Sequence, residues 1–267
     1  MIKIETSAKD FDSIPFSWRE AGNEGELILF LHGLGGSRDA WEPQLKAFSN
    51  SYRCVAWDMP GYGSSKSLND LTFKSIVDSI TSFLDTLQVE KAHLIGLSFG
   101  GMQALHVAIL APERVSSLVI ADSSPSFGLD GTDPEAWIEQ RLKQIKIGKE
   151  PKDFAEEVLR SISGPDFEGI ELENAIHAFS RITPEAFEAS CRCLTTHDVL
   201  SELKLIDSPS LIIVGELEEE TPPSYAHALV EKMPNATFLQ IEGCGHLTPS
   251  EKPHEFNSAV ASFLLSL

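Results

Sequence analysis

Short, mostly apolar runs alternate with amphipathic stretches along most of the chain. Such runs are typical of strands that are covered on both faces, and they occur at 27–31, 52–57, 94–97, 115–121, 211–214 and 237–241. The earlier segment 14–19 instead alternates apolar and polar residues, which predicts an antiparallel strand at the edge of a sheet.

Between these runs lie stretches whose apolar residues recur at helical spacing. The clearest is 71–87, where Ile76, Ile80 and Phe83 share one face of a helix. We expect further helices at 41–48, 222–232 and 253–265. The order of strand, helix and strand predicts a doubly wound parallel sheet.

The rhythm changes between residues 123 and 200. Four amphipathic segments follow one another there with no strand between them. Because this all-helical insertion separates two strands of one sheet, we expect it to fold over the carboxyl edge of the sheet as a lid. The predicted organisation is therefore a core of residues 1–122 and 201–267 and a helical lid of residues 123–200.

Composition narrows the function classes. The chain has 267 residues and a formal net charge of −19, which repels nucleic acids and anionic membrane surfaces. No apolar run is long enough to span a bilayer. The four cysteines show no pattern typical of zinc or of a disulfide framework. We therefore expect a cytoplasmic protein with no metal, no nucleic-acid partner and no membrane contact.

Ser98 lies in a sequence that favours a nucleophile. It stands between Gly96 and Gly100, at the end of an apolar run and before a helix-like stretch. A serine on a sharp strand-to-helix turn needs small neighbours, and the turn exposes its hydroxyl. The amide of Phe99 would then lie where an oxyanion forms. The same five-residue pattern also occurs by chance in loops, so its context decides.

A serine hydroxyl needs a base, which is usually a histidine oriented by a carboxylate. His246 is the best candidate among the eight histidines, because it follows a predicted strand and comes after both Ser98 and an acidic cluster. Hydrolases whose serine lies on a strand-to-helix turn carry their serine, acid and histidine in this order. We interpret the other histidines as structural or surface residues.

Four motifs in sequence order together resemble the α/β-hydrolase superfamily: 31–36, 58–65, 96–101 and 243–246. Within it, the chain is similar to the 3-oxoadipate enol-lactonase-like and carboxylesterase group at 137–148, 184–198 and 211–216. The resemblance implies an α/β fold with a mostly parallel eight-stranded sheet flanked by helices and a lid after strand six. It also implies Ser98 as nucleophile, His246 as base, the Leu34 and Phe99 amides as oxyanion hole, and His32 as a loop-shaping residue.

The acid of the triad has two candidates. Where the resembling group carries an aspartate after strand seven, this chain has Glu218, whose extra methylene requires a slightly different loop. Asp122, at the end of the strand before the lid, is the rival acid. Its alternative role is to cap the turn that follows.

The sequence as a whole predicts a serine hydrolase that cleaves a small carboxylic ester or lactone through an acyl-enzyme, with no cofactor. Trp137 is the predicted substrate-binding residue, and a substrate carboxylate would need one of four lid arginines: Arg141, Arg160, Arg181 and Arg192. Alternatives are C–C bond hydrolysis, thioester hydrolysis, perhydrolysis, or a ligand-trapping receptor. The sequence does not distinguish a monomer from a homodimer.

Overall fold

The computed structural model describes residues 7–10 and 15–267. Its strands are β1 (Ser7–Asp10), β2 (Ser17–Ala21), β3 (Leu27–Leu31), β4 (Arg53–Asp58), β5 (Ala92–Leu97), β6 (Val115–Ala121), β7 (Ser210–Gly215) and β8 (Ala236–Ile241). The early strand β2 begins later than predicted, and position 14 of the predicted strand lies outside the described residues. The prediction that this strand lies at the edge of the sheet is wrong, because β2 pairs with β1 on one side and with β4 on the other. The strand predicted at 94–97 begins two residues earlier, so His93 lies inside β5.

The strands form one sheet in the order β1-β2-β4-β3-β5-β6-β7-β8. β1 and β2 pair antiparallel, as do β2 and β4. All other neighbours are parallel, which confirms the predicted mostly parallel sheet. Because the parallel strands point the same way, the loops that follow β3, β5, β6, β7 and β8 meet at one edge.

Ten α-helical elements accompany the sheet in the described part of the chain. They are α1 (Glu42–Phe48), α2 (Phe73–Thr86), α3 (Phe99–Leu110), α4 (Pro134–Lys146), α5 (Ala155–Ile162), α6 (Gly169–Ser180), α7 (Pro184–Leu194), α8 (Pro223–Lys232), α9 (Thr248–Glu251) and α10 (Pro253–Leu264). Proline occupies the first turn of α4 and α7, where its missing N–H costs nothing. Asp133 and Thr183 cap these two helices.

Strands β3 to β7 are buried on both faces along almost their whole length, which explains why they are mostly apolar. Along β3, Leu29 belongs to one apolar cluster and Phe30 to the other, as the two-residue period of a strand requires. The first cluster contains residues of α2 and α3, and the second contains Leu45 of α1 and Phe256 of α10. The helices therefore sandwich the sheet and hold its carboxyl edge in a fixed geometry.

The segment of residues 123–200, here called the helical segment, carries α4 to α7 between β6 and β7. Its two ends are hydrogen-bonded together: the Phe127 amide donates to His197 O (2.7 Å) and the Val199 amide donates to Pro125 O (2.9 Å). The segment therefore leaves and rejoins the core at one place. In the described part of the chain, no helix has the length and apolarity needed to cross a membrane.

Candidate active site

Ser98 occupies the turn between β5 and α3 in a strained backbone conformation. Its φ is +53°, in the left-handed region that non-glycine residues rarely adopt. A Cβ on Gly96 would lie 2.3 Å from Gly100 O, and a Cβ on Gly100 would lie 2.0 Å from Leu31 O. Both glycines are therefore required by close backbone approach, and the turn exposes Ser98 to a cavity.

His246 lies in the loop between β8 and α9, against Ser98. Its Nε2 is 2.9 Å from Ser98 Oγ, and its Nδ1 is hydrogen-bonded to Glu218 Oε2. The Glu218 carboxylate can only accept, so Nδ1 carries a proton, and in the neutral ring Nε2 faces the serine hydroxyl as an acceptor. The three side chains form one continuous hydrogen-bonded series.

Glu218 is buried in the loop between β7 and α8. Its Oε1 accepts hydrogen bonds from the amides of Glu220 (2.6 Å) and Thr221 (3.0 Å), which leaves Oε2 for His246. Burial alone raises the pKa of Glu218, but the His246 charge and these N–H donors outweigh it and lower the pKa below its ordinary value. The side chain is thus held as a carboxylate.

Asp122, the rival acid, serves different partners. Its Oδ1 accepts from the Gly215 amide (2.9 Å), and its Oδ2 accepts from the Thr248 amide (3.0 Å) and hydroxyl (2.7 Å). Burial, and then the nearby Glu218 charge, raise its pKa well above the ordinary value. Asp122 therefore joins the end of β7 to the start of α9, while Glu218 contacts His246.

The pKa of His246 reflects two opposing effects. Burial lowers it by disfavouring the imidazolium, but the Glu218 carboxylate and its hydrogen bond raise it more, so the net pKa lies above the ordinary value of 6.5. A raised pKa makes the neutral imidazole a stronger acceptor for the proton of the Ser98 hydroxyl.

The predicted oxyanion amides belong to Leu34 and Phe99. Gly33 packs directly over Ser98, since a Cβ there would lie 3.2 Å from Ser98 Cβ. Within residues 15–267, neither the Leu34 nor the Phe99 amide donates a hydrogen bond to a protein acceptor. Both N–H groups are therefore free to bind a developing oxyanion.

His32 holds the loop that contains Leu34. Its Nδ1 lies 2.9 Å from Gly33 O, and its Nε2 accepts from the Met59 amide at 3.1 Å. The Gly33 oxygen can only accept, so Nδ1 is the protonated nitrogen. Burial lowers the pKa of His32 and keeps the ring neutral. It connects the loops after β3 and β4, consistent with a loop-shaping role.

A cavity of about 340 Å³ opens beside Ser98 and His246. Trp137 of α4 lines it, packs edge-on against Phe127 at 5.4 Å and carries the Arg141 guanidinium 5.0 Å above its ring. Of the four arginines considered above, Arg141 is the one that lines the cavity. The others pair with nearby carboxylates: Arg160 with Glu156, Arg181 with Asp39 and Arg192 with Glu188.

Glu251 also holds the His246 loop in place, a role that was not predicted from the sequence. Its carboxylate accepts from the amides of Gly245 (2.9 Å), Leu247 (2.9 Å) and Gly164 (2.8 Å). The first two flank His246, and the third belongs to the helical segment. A glutamate five residues after a histidine is unremarkable in sequence, so only the fold reveals that it fixes this loop.

No metal-binding arrangement accompanies these residues. Among the residues that the structure describes, no three His, Cys, Asp or Glu side chains are grouped so that they could hold a metal ion. The four cysteines are buried as free thiols. Burial raises the pKa of Cys54 and of Cys191 to about 12, so both remain protonated.

Comparison with known proteins connects this geometry to a family. Residues 26–156 match the family described as alpha/beta hydrolase fold. The chain is 27% identical over 244 residues to 3-oxoadipate enol-lactonase 1 of Acinetobacter baylyi, covering 90% of this chain and 89% of that protein.

Solved structures agree in fold. The enol-lactonase from Burkholderia xenovorans LB400 superposes with a TM-score of 0.85 at 22% identity, over 94% of this chain and 97% of that chain. A thermophilic esterase from Thermogutta terrifontis superposes with a TM-score of 0.83 at 23% identity, over 98% of both chains. At these identities the structural likeness establishes the fold and leaves the substrate open.

Proposed function

We propose that this chain, which belongs to the α/β-hydrolase superfamily, is a serine hydrolase that cleaves a small carboxylic ester or lactone. The observation that carries the proposal is the hydrogen-bonded series from Glu218 through His246 to Ser98, whose Ser98 and His246 members line the cavity. The likeness to an enol-lactonase sequence supports the same reaction class.

The reaction follows from the positions of the groups. Ser98 Oγ attacks the acyl carbon while His246 Nε2 takes its proton, and the Leu34 and Phe99 amides bind the oxyanion. His246 then protonates the departing alkoxide, which leaves an acyl group on Ser98. A water molecule, deprotonated by His246, attacks this ester, and the returning proton frees Ser98 and the acid. In a lactone the leaving alcohol stays attached to the acyl chain.

The surrounding architecture supports further parts of the proposal. The helical segment, residues 123–200, acts as the lid, and residues 1–122 and 201–267 form the catalytic core. Trp137 belongs to the substrate pocket, since it lines the cavity. The mechanism uses no cofactor. A cytoplasmic location remains a prediction from the sequence.

Steady-state hydrolysis of p-nitrophenyl acetate, p-nitrophenyl butyrate and δ-valerolactone tests this proposal. We expect many turnovers per molecule, and we expect Ser98→Ala to lower kcat by roughly 10³ to 10⁶ while keeping the circular dichroism spectrum. At most one slow turnover per site would instead indicate a ligand-trapping receptor. Undiminished hydrolysis by Ser98→Ala would refute the assigned nucleophile.

A further inference from the structure

Arg141 and Glu220 form a salt bridge at the wall of the cavity. Arg141 comes from α4 of the helical segment, and Glu220 lies two residues after Glu218 in the core. Their side chains are 24% and 32% exposed, respectively, so water screens this pair less than a fully exposed one. The residue that a substrate carboxylate would need is therefore already paired with a carboxylate of the protein.

The charged residues that line the cavity also disfavour a substrate carboxylate. The described lining residues include three with carboxylate side chains (Asp130, Glu157 and Glu220) and a single arginine, Arg141. An anionic substrate would lose its hydration and meet a wall of its own sign. An uncharged substrate avoids this cost.

We propose that Glu220 is a specificity-determining residue that neutralises Arg141 and makes the enzyme prefer uncharged substrates over substrates with a free carboxylate. The proposal rests on the function proposed above and adds the charge class of the substrate. Its role is separable from the Glu218 loop, because Glu220 supports Glu218 through its backbone amide and pairs with Arg141 through its side chain.

Two esters of matched shape provide the test. Monoethyl succinate carries a carboxylate where ethyl levulinate carries a neutral acetyl group, and acid release reports the hydrolysis of both. We expect the unsubstituted enzyme to prefer ethyl levulinate. In Glu220→Gln the ratio of kcat/KM for the half-ester over the levulinate should rise about tenfold, since Arg141 then lacks a protein partner.

Two controls isolate the pair. Glu219→Gln removes the same charge from the same loop at an exposed position outside the cavity lining, so its ratio should change less than about twofold. The double variant Glu220→Gln, Arg141→Gln should lose the gain of the single variant. An unchanged ratio in Glu220→Gln, or an equal rise in Glu219→Gln, would overturn the proposal.

Binding of boronic acids separates this proposal from the proposed function. Phenylboronic acid and 3-carboxyphenylboronic acid add reversibly to a nucleophilic serine, so their dissociation constants can be measured by calorimetry without turnover. Binding without ester hydrolysis would refute the hydrolase function, and the effect of Glu220→Gln on the two constants would still decide the charge preference. The same roughly tenfold shift towards the carboxylated compound is expected. No shift would refute the role of Glu220.

Discussion

The carboxyl edge of the sheet and the helical segment contribute to the cavity in different ways. At the sheet edge, backbone constraints set the positions of the reactive groups: Ser98 is fixed by a strained turn, and Glu218 is held by two main-chain amides. The helical segment contributes side chains that meet through rings and ion pairs, such as Trp137 with Arg141. We therefore propose that the edge determines the chemistry and that the helical segment determines the substrate.

The two regions also touch directly beside the proposed base. The His246 amide donates to Ile162 O at the end of α5 (2.8 Å), and Glu251 accepts from Gly164 as well as from the amides on both sides of His246. A Cβ on Gly245 would lie 2.7 Å from Gly164 N. The helical segment therefore helps to fix the His246 loop. Substitutions at these contacts can test how much the segment contributes to the position of His246.

The largest effect is expected inside the sheet edge. Glu218→Gln removes the charged acceptor of His246 Nδ1 and should lower kcat by roughly 10⁴, whereas Glu218→Asp should retain part of the activity after a small loop shift. Asp122→Asn should be milder in kcat and should mainly lower stability by about 1–3 kcal/mol, because its new NH₂ group faces the Thr248 donors.

Steady-state kinetics and thermal unfolding of the three variants check this expectation. If Asp122→Asn proves more damaging to kcat than Glu218→Gln, the orienting acid is Asp122, and the hydrogen bond to Glu218 does not define the triad.

A smaller effect is expected where the two regions join. Glu251→Gln replaces an acceptor-only carboxylate with an amide that cannot accept from all of its N–H partners, so the His246 loop should shift and kcat should fall about tenfold with little change in KM. Glu251→Asp should recover part of the loss. Glu255→Gln, an exposed change on α10, serves as the control. If Glu251→Gln changed KM as strongly as kcat, Glu251 would not act by positioning His246.

In the helical segment we expect selectivity to change while the chemistry persists. Trp137→Ala should alter the relative kcat/KM for acetyl, butyryl and octanoyl esters by about 1–3 kcal/mol per affected methylene, because Trp137 lines the cavity. Phe167→Ala is a matched control, since Phe167 is buried in the same segment but does not line the cavity. Unchanged relative rates in Trp137→Ala would exclude Trp137 from the pocket.

The smallest expected effect is a shift of the pH profile. His246 must be neutral to accept the serine proton, so kcat/KM should rise as pH passes its pKa, with a midpoint above 6.5 because Glu218 raises that pKa. The residual activity of Glu218→Gln should show its midpoint at lower pH, since the charge that stabilises the imidazolium is gone. Identical midpoints in the unsubstituted enzyme and in Glu218→Gln would show that Glu218 does not raise the pKa of His246.

The sequence alone predicted the turn that carries Ser98 at the carboxyl edge of the sheet, because backbone geometry leaves few choices there. The spacing of Gly96, Ser98 and Gly100 follows from close main-chain contacts, and these are visible in sequence as glycines. The choice between Glu218 and Asp122 was not predictable from the residues, because both follow neighbouring parallel strands and differ only in the partners that the loops provide.

Side-chain pairs across the two regions could not be predicted. Arg141 and Glu220 are 79 residues apart, and Gly164 and Glu251 are 87 residues apart. Charged residues are common throughout this acidic chain, so no local pattern marks these four. Their association depends on how the helical segment packs on the core, which periodicity does not encode.

Trapping of the acyl-enzyme tests directly whether Ser98 is the nucleophile. After rapid mixing with p-nitrophenyl acetate and an acid quench, intact-mass spectrometry should show one added acetyl group, and peptide mapping should place it on Ser98. His246→Ala and Ser98→Ala should show no burst of labelling. An acetyl group on another residue would contradict the assignment of Ser98 as the nucleophile. Multiple turnover without labelled Ser98, together with full activity in Ser98→Ala, would contradict it as well.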